Sequence, residues 1–415
     1  MAGGSSMARQ RETATVAVMA AGFGLVGIDR FLITTMFPTI ARDLHLNYAD
    51  IGAITGALAI AWGLAALFMG NLSDRIGRRR VLVGSLILFS LLIGASGLAT
   101  ALGGLILVRI VMGIADGAYT PASITATLEA SPPERHGLNI GIQQMMLPLC
   151  GLGLGPLAVG ALLHVINWRY IFLIFVLPGL AVAYAVSRTV ADPVCGPPAS
   201  PAIDGPGMNP TRGFLHDWRA ALSERNIRIA AGMMLCWLTC LMSTSAFLPN
   251  YLTDYLKLPL GQMSSVMSAI GLGSTVGTLL WPWLSDRLGR RPIMVLCTLG
   301  ALGSLAWLHH AGAGMLSLFL PLFSVHFFNN ALITLTVGPL CAESVPAGLA
   351  ATASGLVIAI AEFFGGGLAP WLVGHAAQRF GIENFLILPM AAMVVGVLLS
   401  ASIRETRSAF NPAAS

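Results

Sequence analysis

Long apolar runs, each closed by a short polar break, follow one another along this 415-residue chain. A run of about 20 apolar residues is long enough to cross the hydrocarbon core of a bilayer as a helix. Twelve such runs predict twelve transmembrane helices, at about 14–38, 50–72, 80–100, 102–126, 138–164, 167–187, 228–252, 259–284, 292–310, 314–341, 350–376 and 384–403. A membrane β-barrel would instead show short strands of alternating apolar and polar positions. The expected class is therefore all-α and integral to the membrane. One stretch breaks the rhythm. Residues 189–213 hold Pro193, Pro197, Pro198, Pro201, Pro206 and Pro210, and Phe214 to Arg228 reads as a short amphipathic helix with Trp218 and several arginines. Such a connector predicts a semi-flexible linker, 189–227, between two six-helix blocks, 1–188 and 228–415. Its basic part is expected to lie along the cytoplasmic lipid surface.

The polar breaks contain a repeat. Leu72-Ser73-Asp74-Arg75-Ile76-Gly77-Arg78-Arg79 recurs, 212 residues later, as Leu284-Ser285-Asp286-Arg287-Leu288-Gly289-Arg290-Arg291. Each copy falls between the second and third spans of its block. Two similar halves are the simplest reading.

Composition supports the membrane assignment: 56% of residues are hydrophobic and 10% charged, where a soluble domain carries about 25% charged residues. The net charge of +5 invites a nucleic-acid partner, but its distribution argues otherwise. With the amino terminus placed in the cytoplasm, 17 of the 23 basic residues fall on the cytoplasmic side. Four (Arg42, Arg169, Lys257 and Arg379) fall on the other, while Arg30 and Arg109 lie within spans. That bias is the positive-inside pattern of a multi-pass protein of the cell inner membrane with both termini cytoplasmic. The lipid bilayer, not nucleic acid, is the expected partner of this charge. The first run is no signal peptide: it is too long, it contains Asp29 and Arg30, and no small-residue cleavage site follows it. The six cysteines form no CxxC or Cys/His metal spacing. Cys236 and Cys240, on one helix face, read as small packing residues. No HExxH, GxSxG or P-loop pattern occurs, so neither an enzyme nor a nucleotide-driven pump is expected. No cofactor is implied, and the driving force is expected to be an ion gradient.

Charge inside a span is costly, about 2.5–3.5 kcal/mol on insertion scales, and is functional by default. The first span carries Asp29 and Arg30, the fourth Arg109 and Asp116, and the eleventh Glu362. Arg109 and Asp116 are two helical turns apart on one face, while the adjacent Asp29 and Arg30 point about 100° apart. A carboxylate in low dielectric holds its proton more tightly, and a nearby arginine loosens it again. Asp116 is the foremost proton-carrier candidate, with Asp29 beside it. Glu362 reads equally as a second proton site or a packing group. His326, Asn329, Asn330 and Thr334 form a polar stripe in the tenth span, and Gln143 and Gln144 a pair in the fifth. Such residues line a wet cavity or hydrogen-bond a neighbouring helix. Tyr119, Trp237 and Asn250 are further candidate substrate contacts. Glu343, at the end of the tenth span, reads as structural, and the His309-His310 pair as solvated.

Twelve spans as six plus six, with Gly70-Asn71-Leu72-Ser73-Asp74-Arg75-Ile76-Gly77-Arg78-Arg79 between spans two and three, resemble the major facilitator superfamily of secondary transporters. In the second copy Pro282 stands where the pattern has its first glycine. The resemblance implies two pseudo-symmetric bundles around a cavity that opens to alternate sides, in a protein that acts as a monomer. It implies gating by Asp74, Arg75, Arg78, Arg79, Asp286, Arg287, Arg290 and Arg291, the aspartate pairing across the bundle interface at the cytoplasmic side. Asp29-Arg30 together with Arg109, Gly113 and Asp116 is similar to the pattern of the superfamily's organic anion symporters, with aspartate where those commonly have glutamate. That implies a small-molecule substrate of anionic character, bound through the planar fork of Arg30, with Asp29 and Asp116 handling protons. Proton-coupled uptake of a small carboxylate, aromatic acid or sugar acid is the expected function. The run Gly151-Leu152-Gly153-Leu154-Gly155-Pro156 partly resembles the fifth-span signature of drug/proton antiporters. Proton-driven efflux of a drug or metabolite is the alternative.

Overall fold

The computed structural model describes residues 2–132, 135–190, 214–346 and 349–406, with side chains described outside 2–8, 68–76, 214–217 and 351. Most of the predicted linker, with Cys195, lies outside the described residues. Among the described residues every regular element is helical, and twelve helices are long and apolar enough to span a membrane. In chain order they are α1 (Arg9–Leu44), α2 (Tyr48–Leu67, its helix continuing to Ile76), α3 (Arg78–Gly97), α4 (Leu102–Ala130), α5 (His136–Leu163) and α6 (Trp168–Thr189). The second set is α7 (Arg225–Tyr255), α8 (Leu260–Leu288), α9 (Arg290–His309), α10 (Met315–Ser344), α11 (Thr352–Phe380) and α12 (Ile382–Ser402). A short helix, Phe214–Ser223, precedes α7. The predicted spans fall within these helices to a few residues.

The packing repeats after six spans. In the first set α2 packs on α4, α3 on α6 and α3 on α4; in the second, α8 packs on α10, α9 on α12 and α9 on α10. Contacts between the sets obey the same two-fold rule: α2 meets α11, α8 meets α5, and α1 meets α7. Two pseudo-symmetric six-helix bundles result. Depth in the assembly follows: α1 and α7 are 78% and 89% buried over their most apolar windows, α6 and α12 only 28% and 33%. The innermost helices are therefore α1 and α7, and polar groups on them are shielded from lipid.

Without a hydrophobic force between helices in lipid, close contact through small residues holds such bundles together. On α4, a side chain at Gly113 would strike the Leu58 carbonyl of α2; on α8, one at Gly277 would strike the Phe327 carbonyl of α10. Between the bundles, Gly271 of α8 lies against the backbone of Gly153 in α5. Overpacking such a contact costs about 1–3 kcal/mol. Gly277→Leu is accordingly expected to lower the unfolding temperature of the detergent-purified protein, whereas Gly303→Leu, where the position is open, is expected to leave it unchanged.

Four spans widen into π-turns, at Leu149–Leu154, Tyr251–Tyr255, Thr336–Leu340 and Glu362–Leu368. A proline sits in or near each: Pro148 and Pro156, Pro249, Pro339, and Pro370. Proline has no N–H to give to the carbonyl four residues earlier, so the adjoining turn relaxes to wider bonding, a form often found at functional sites. The glycine run at 151–155 belongs to one such turn, in the contact between α5 and α8.

Candidate functional site

The five ionisable residues predicted within spans converge where the bundles meet. Arg30 of α1 donates to both oxygens of Glu362 of α11, Nη1 to Oε1 at 3.1 Å and Nη2 to Oε2 at 2.6 Å. The pair is buried and joins the two bundles across 332 residues of sequence. Arg30 Nη2 also lies 3.5 Å from the Met242 sulfur, and the indole of Trp62 stacks 4.4 Å from the guanidinium carbon. Asp29, the preceding residue, points elsewhere as helical geometry requires. Its Oδ1 is 3.7 Å from Arg109 Nη1, which also donates to the Asp29 carbonyl at 2.8 Å. Asp116 lies in the field of Asp29, Arg30 and Arg109. Asp29, Asp116 and Arg109 are at most 1% exposed. The Asp29 and Asp116 carboxyls face each other at hydrogen-bonding range. Among the described residues neither carboxyl has an N–H or hydroxyl partner, nor Nε or Nη2 of Arg109 an acceptor. Buried polar groups are ordinarily satisfied, and two facing carboxyls can share a hydrogen bond only when one of them holds a proton.

Beside it is a small cavity lined by Arg30, Phe31, Ile33, Thr34, Thr55, Leu58, Arg109, Met242 and Ser245. Its volume is about 10 Å³, room for roughly one water molecule. Each lining hydroxyl donates to its own helix: Thr34 to the Phe31 carbonyl at 2.8 Å, Thr55 to Ile51 at 2.8 Å and Ser245 to Met242 at 3.2 Å. Their lone pairs remain free to accept from a ligand.

Several residues expected at a substrate site are hydrogen-bonded to neighbouring helices. Gln143 donates to Ser123 at 2.9 Å and accepts from Thr127 at 2.6 Å, tying α5 to α4. Trp237 donates to Thr336 at 3.1 Å, Asn329 to the Trp237 carbonyl at 3.1 Å and Asn330 to Thr278 at 2.8 Å. His326 Nε2 meets Thr244 at 3.1 Å, and the Tyr119 hydroxyl reaches the Met19 carbonyl at 3.4 Å. Gln144, partly buried on α5, is not among the residues lining the small cavity. Asn250 lies at one end of the bundle, described below. These residues knit helices within a bundle, one of the two roles their polarity allowed.

The repeated strings sit at the end of the bundle that carries residues 9 and 404, the proximal face. Each turns on a glycine with positive φ, Gly77 at 102° and Gly289 at 95°, a conformation that L side chains rarely adopt. That requirement explains the glycine of the motif. The next arginine starts a helix and pairs with the end of the span after it: Arg78 with Glu129, and Arg290 with Glu343 at 2.8 Å. The side chains of Asp74 and Arg75 lie outside the described residues. In the second string Asp286 pairs with Arg290 four residues on, within its own bundle, at 2.8 Å. Arg287 stacks on Trp283, its guanidinium carbon 4.1 Å from the ring, and the backbone N–H groups of Arg290 and Arg291 both donate to Glu405 at 2.9 Å. Arg79 is partly exposed and Arg291 exposed.

A family model described as Major Facilitator Superfamily matches residues 19–370. The chain belongs to this superfamily. Like other members of the superfamily it is a membrane transporter and not an enzyme. A metabolite transport protein of Haemophilus influenzae, itself described as putative, is 25% identical over 91% of this chain and 92% of its own length. The 4-hydroxybenzoate transporter of Pseudomonas aeruginosa is 26% identical, covering 90% of this chain and 89% of that one. A cephamycin export protein of Amycolatopsis lactamdurans is 31% identical over 49% of this chain and 42% of its own. Among solved structures, a bacterial homologue of the human lysosomal transporter Spinster, inward-facing and unoccupied, superposes with a TM-score of 0.78. It is 17% identical and covers 94% of this chain and 96% of that chain.

In this superfamily member the distal face, opposite the proximal one, is drawn together by polar contacts that the motifs did not reveal. A cavity of about 290 Å³ there is lined by Arg42, Asn47, Tyr48, Asn250, Asp254 and Gln378 among others. Tyr48 and Asn250 both donate to Asp254 Oδ2 at 3.1 Å, and the Tyr48 N–H donates to Gln378 at 3.3 Å. Arg42 is 3.5 Å from Asp254, but its side chain is 72% exposed, so that ion pair contributes little. Asn250 and Asp254 are both on α7, so the bond from the Tyr48 hydroxyl is the one that joins α2 to α7, at about 1.5–3 kcal/mol for a bond to a charged group. Asp254→Ala is expected to loosen this end. A cysteine placed at Ala41, in the cavity wall, should then react several-fold faster with a membrane-impermeant maleimide; an unchanged rate would mean that backbone packing alone closes the distal face.

Proposed function

We propose that this transporter takes up a small hydroxylated organic acid, with an aromatic acid the best fit, in symport with protons. Blocks 1–188 and 228–415 rock about the central site, joined by the linker 189–227, in a monomer of the inner membrane with cytoplasmic termini. The proximal face then looks into the cell. One observation carries the reading: Arg30, buried where the bundles meet, already grips a carboxylate with both prongs of its guanidinium. Arginine is the side chain best shaped for that task. Phe31, Ile33, Leu58 and Met242 offer an apolar wall for the body of such an acid, and Thr34, Thr55 and Ser245 offer acceptors for its hydroxyl. The relative that transports 4-hydroxybenzoate matches over nearly the whole chain, whereas the cephamycin exporter matches less than half.

Charge count supports proton coupling. With all groups ionised, Asp29, Asp116 and Glu362 against Arg30 and Arg109 leave one negative charge in a low-dielectric centre. An arriving anion adds another, and each proton taken up removes one. Asp116 and Asp29, whose carboxyls face each other at the buried centre, are the groups for that proton.

The test is uptake by purified protein in liposomes. Labelled 4-hydroxybenzoate should accumulate above its equilibrium level when the lumen is alkaline, and should merely equilibrate without a pH gradient. Gradient-driven extrusion of a cationic dye, with no acid uptake, would instead establish the efflux reading, which the partial match to the cephamycin exporter favours.

A further inference from the structure

We infer that Glu362 is a built-in competitor for the substrate, an internal carboxylate that holds the anion seat on Arg30 until a substrate carboxylate displaces it. The inference rests on the proposed anionic substrate and adds a residue that sets the affinity of its site.

Glu362 occupies the end-on Nη1/Nη2 edge of Arg30 with two bonds of 3.1 and 2.6 Å, and on the other side Nη2 faces the Met242 sulfur at 3.5 Å. The guanidinium plane is covered by Trp62 at 4.4 Å, so stacking leaves the fork direction as the way in. An acid cannot be gripped in the same manner while Glu362 stays. The adjoining cavity, about 10 Å³, holds roughly a water molecule and not an organic acid. The seat must therefore be vacated and widened together. Because Arg30 belongs to the first bundle and Glu362 to the second, releasing this pair vacates the seat and removes one of the contacts that hold the bundles together at the centre.

Glu362 sits among glycines. It opens the π-turn Glu362–Leu368, which includes Gly365, Gly366 and Gly367. A methyl group on Gly366 would stand 2.6 Å from Glu362 Oε2, so the carboxylate lies folded over a position kept bare. Gly63 of α2 likewise lets the stem of Glu362 approach closely, since a methyl group there would stand 3.1 Å from the Glu362 Cβ.

Binding of labelled 4-hydroxybenzoate to the detergent-purified full chain tests this. Glu362→Gln keeps the shape of the side chain but surrenders its charge, so Arg30 is released to the ligand. Its dissociation constant is expected to fall about tenfold or more, the factor carried by one charge-assisted hydrogen bond. Glu362→Asp restores the charge on a shorter stem and should return the affinity most of the way towards wild type. Arg30→Gln should abolish binding in both the wild-type and Glu362→Gln backgrounds. If Glu362→Gln binds as weakly as wild type or more weakly, while Arg30→Gln still abolishes binding, Glu362 only positions Arg30 and the competitor role is overturned. If Arg30→Gln binds like wild type, or no variant binds the acid, the anion-seat reading fails and takes this inference with it.

Discussion

Arg109→Met is expected to destabilise the protein by about 3–5 kcal/mol, the range for removing one partner of a buried ion pair. Arg109 is 1% exposed, lies 3.7 Å from the Asp29 carboxylate and donates to the Asp29 carbonyl at 2.8 Å. Methionine fills similar volume, so the loss is electrostatic: Asp29 and Asp116 are left facing each other with no cation from α4. The expected readout is a fall of several degrees in the unfolding temperature in detergent, together with reduced yield. Asp29→Asn in the same chain should recover most of that loss, because it removes the charge that Arg109 balanced. A double variant no more stable than Arg109→Met would show that Arg109 supports the fold by packing rather than by charge.

Asp116→Asn is expected to do the opposite: leave the fold intact and disconnect the gradient. The Asp116 carboxyl faces the Asp29 carboxyl, an asparagine amide can donate to that same oxygen, and the count of ionised groups at the centre becomes even. Coupling by one proton accumulates substrate about tenfold per unit of pH gradient. In the variant that ratio should collapse to about one, while exchange of labelled for unlabelled substrate continues. Accumulation that survives the substitution would remove Asp116 from the coupling pathway and turn attention to Asp29. The two carboxylates differ in their setting, since Asp29 has Arg109 within 3.7 Å.

The spans were legible because lipid leaves little choice. A backbone that cannot hydrogen-bond to solvent must bond to itself, and a helix of about 20 apolar residues is the short solution. The two-fold repeat was equally plain, since Gly77 and Gly289 occupy a backbone region open to few other residues and each is followed by the arginine that starts α3 or α9. What each intramembrane polar residue does was much less legible. Trp237, His326, Asn329 and Gln143 carry the same sequence signal as Arg30 or Asp116, namely polarity inside an apolar run. Only the direction of each side chain separates a bond that ties two helices from a group that faces a cavity. Trp62 carried no signal, because an aromatic residue in a span is ordinary until a guanidinium is found beneath it. Asp254 and Tyr48 sit at span ends, where polar residues are unremarked, yet they meet across the two bundles.

The sequence by itself determined the class of the molecule: twelve helices, two related halves, arginine-rich breaks on one face, and five charges too costly to be idle. Tertiary structure alone decided their pairing. It gave Arg30 to Glu362, 332 residues away, and Asp29 to Arg109, although Arg30 is the neighbour of Asp29 in the chain. The physical reason is that hydropathy and span length are local properties, read within one turn or one run. A buried charge is instead satisfied by whichever opposite charge the packing of distant helices brings within a few ångströms.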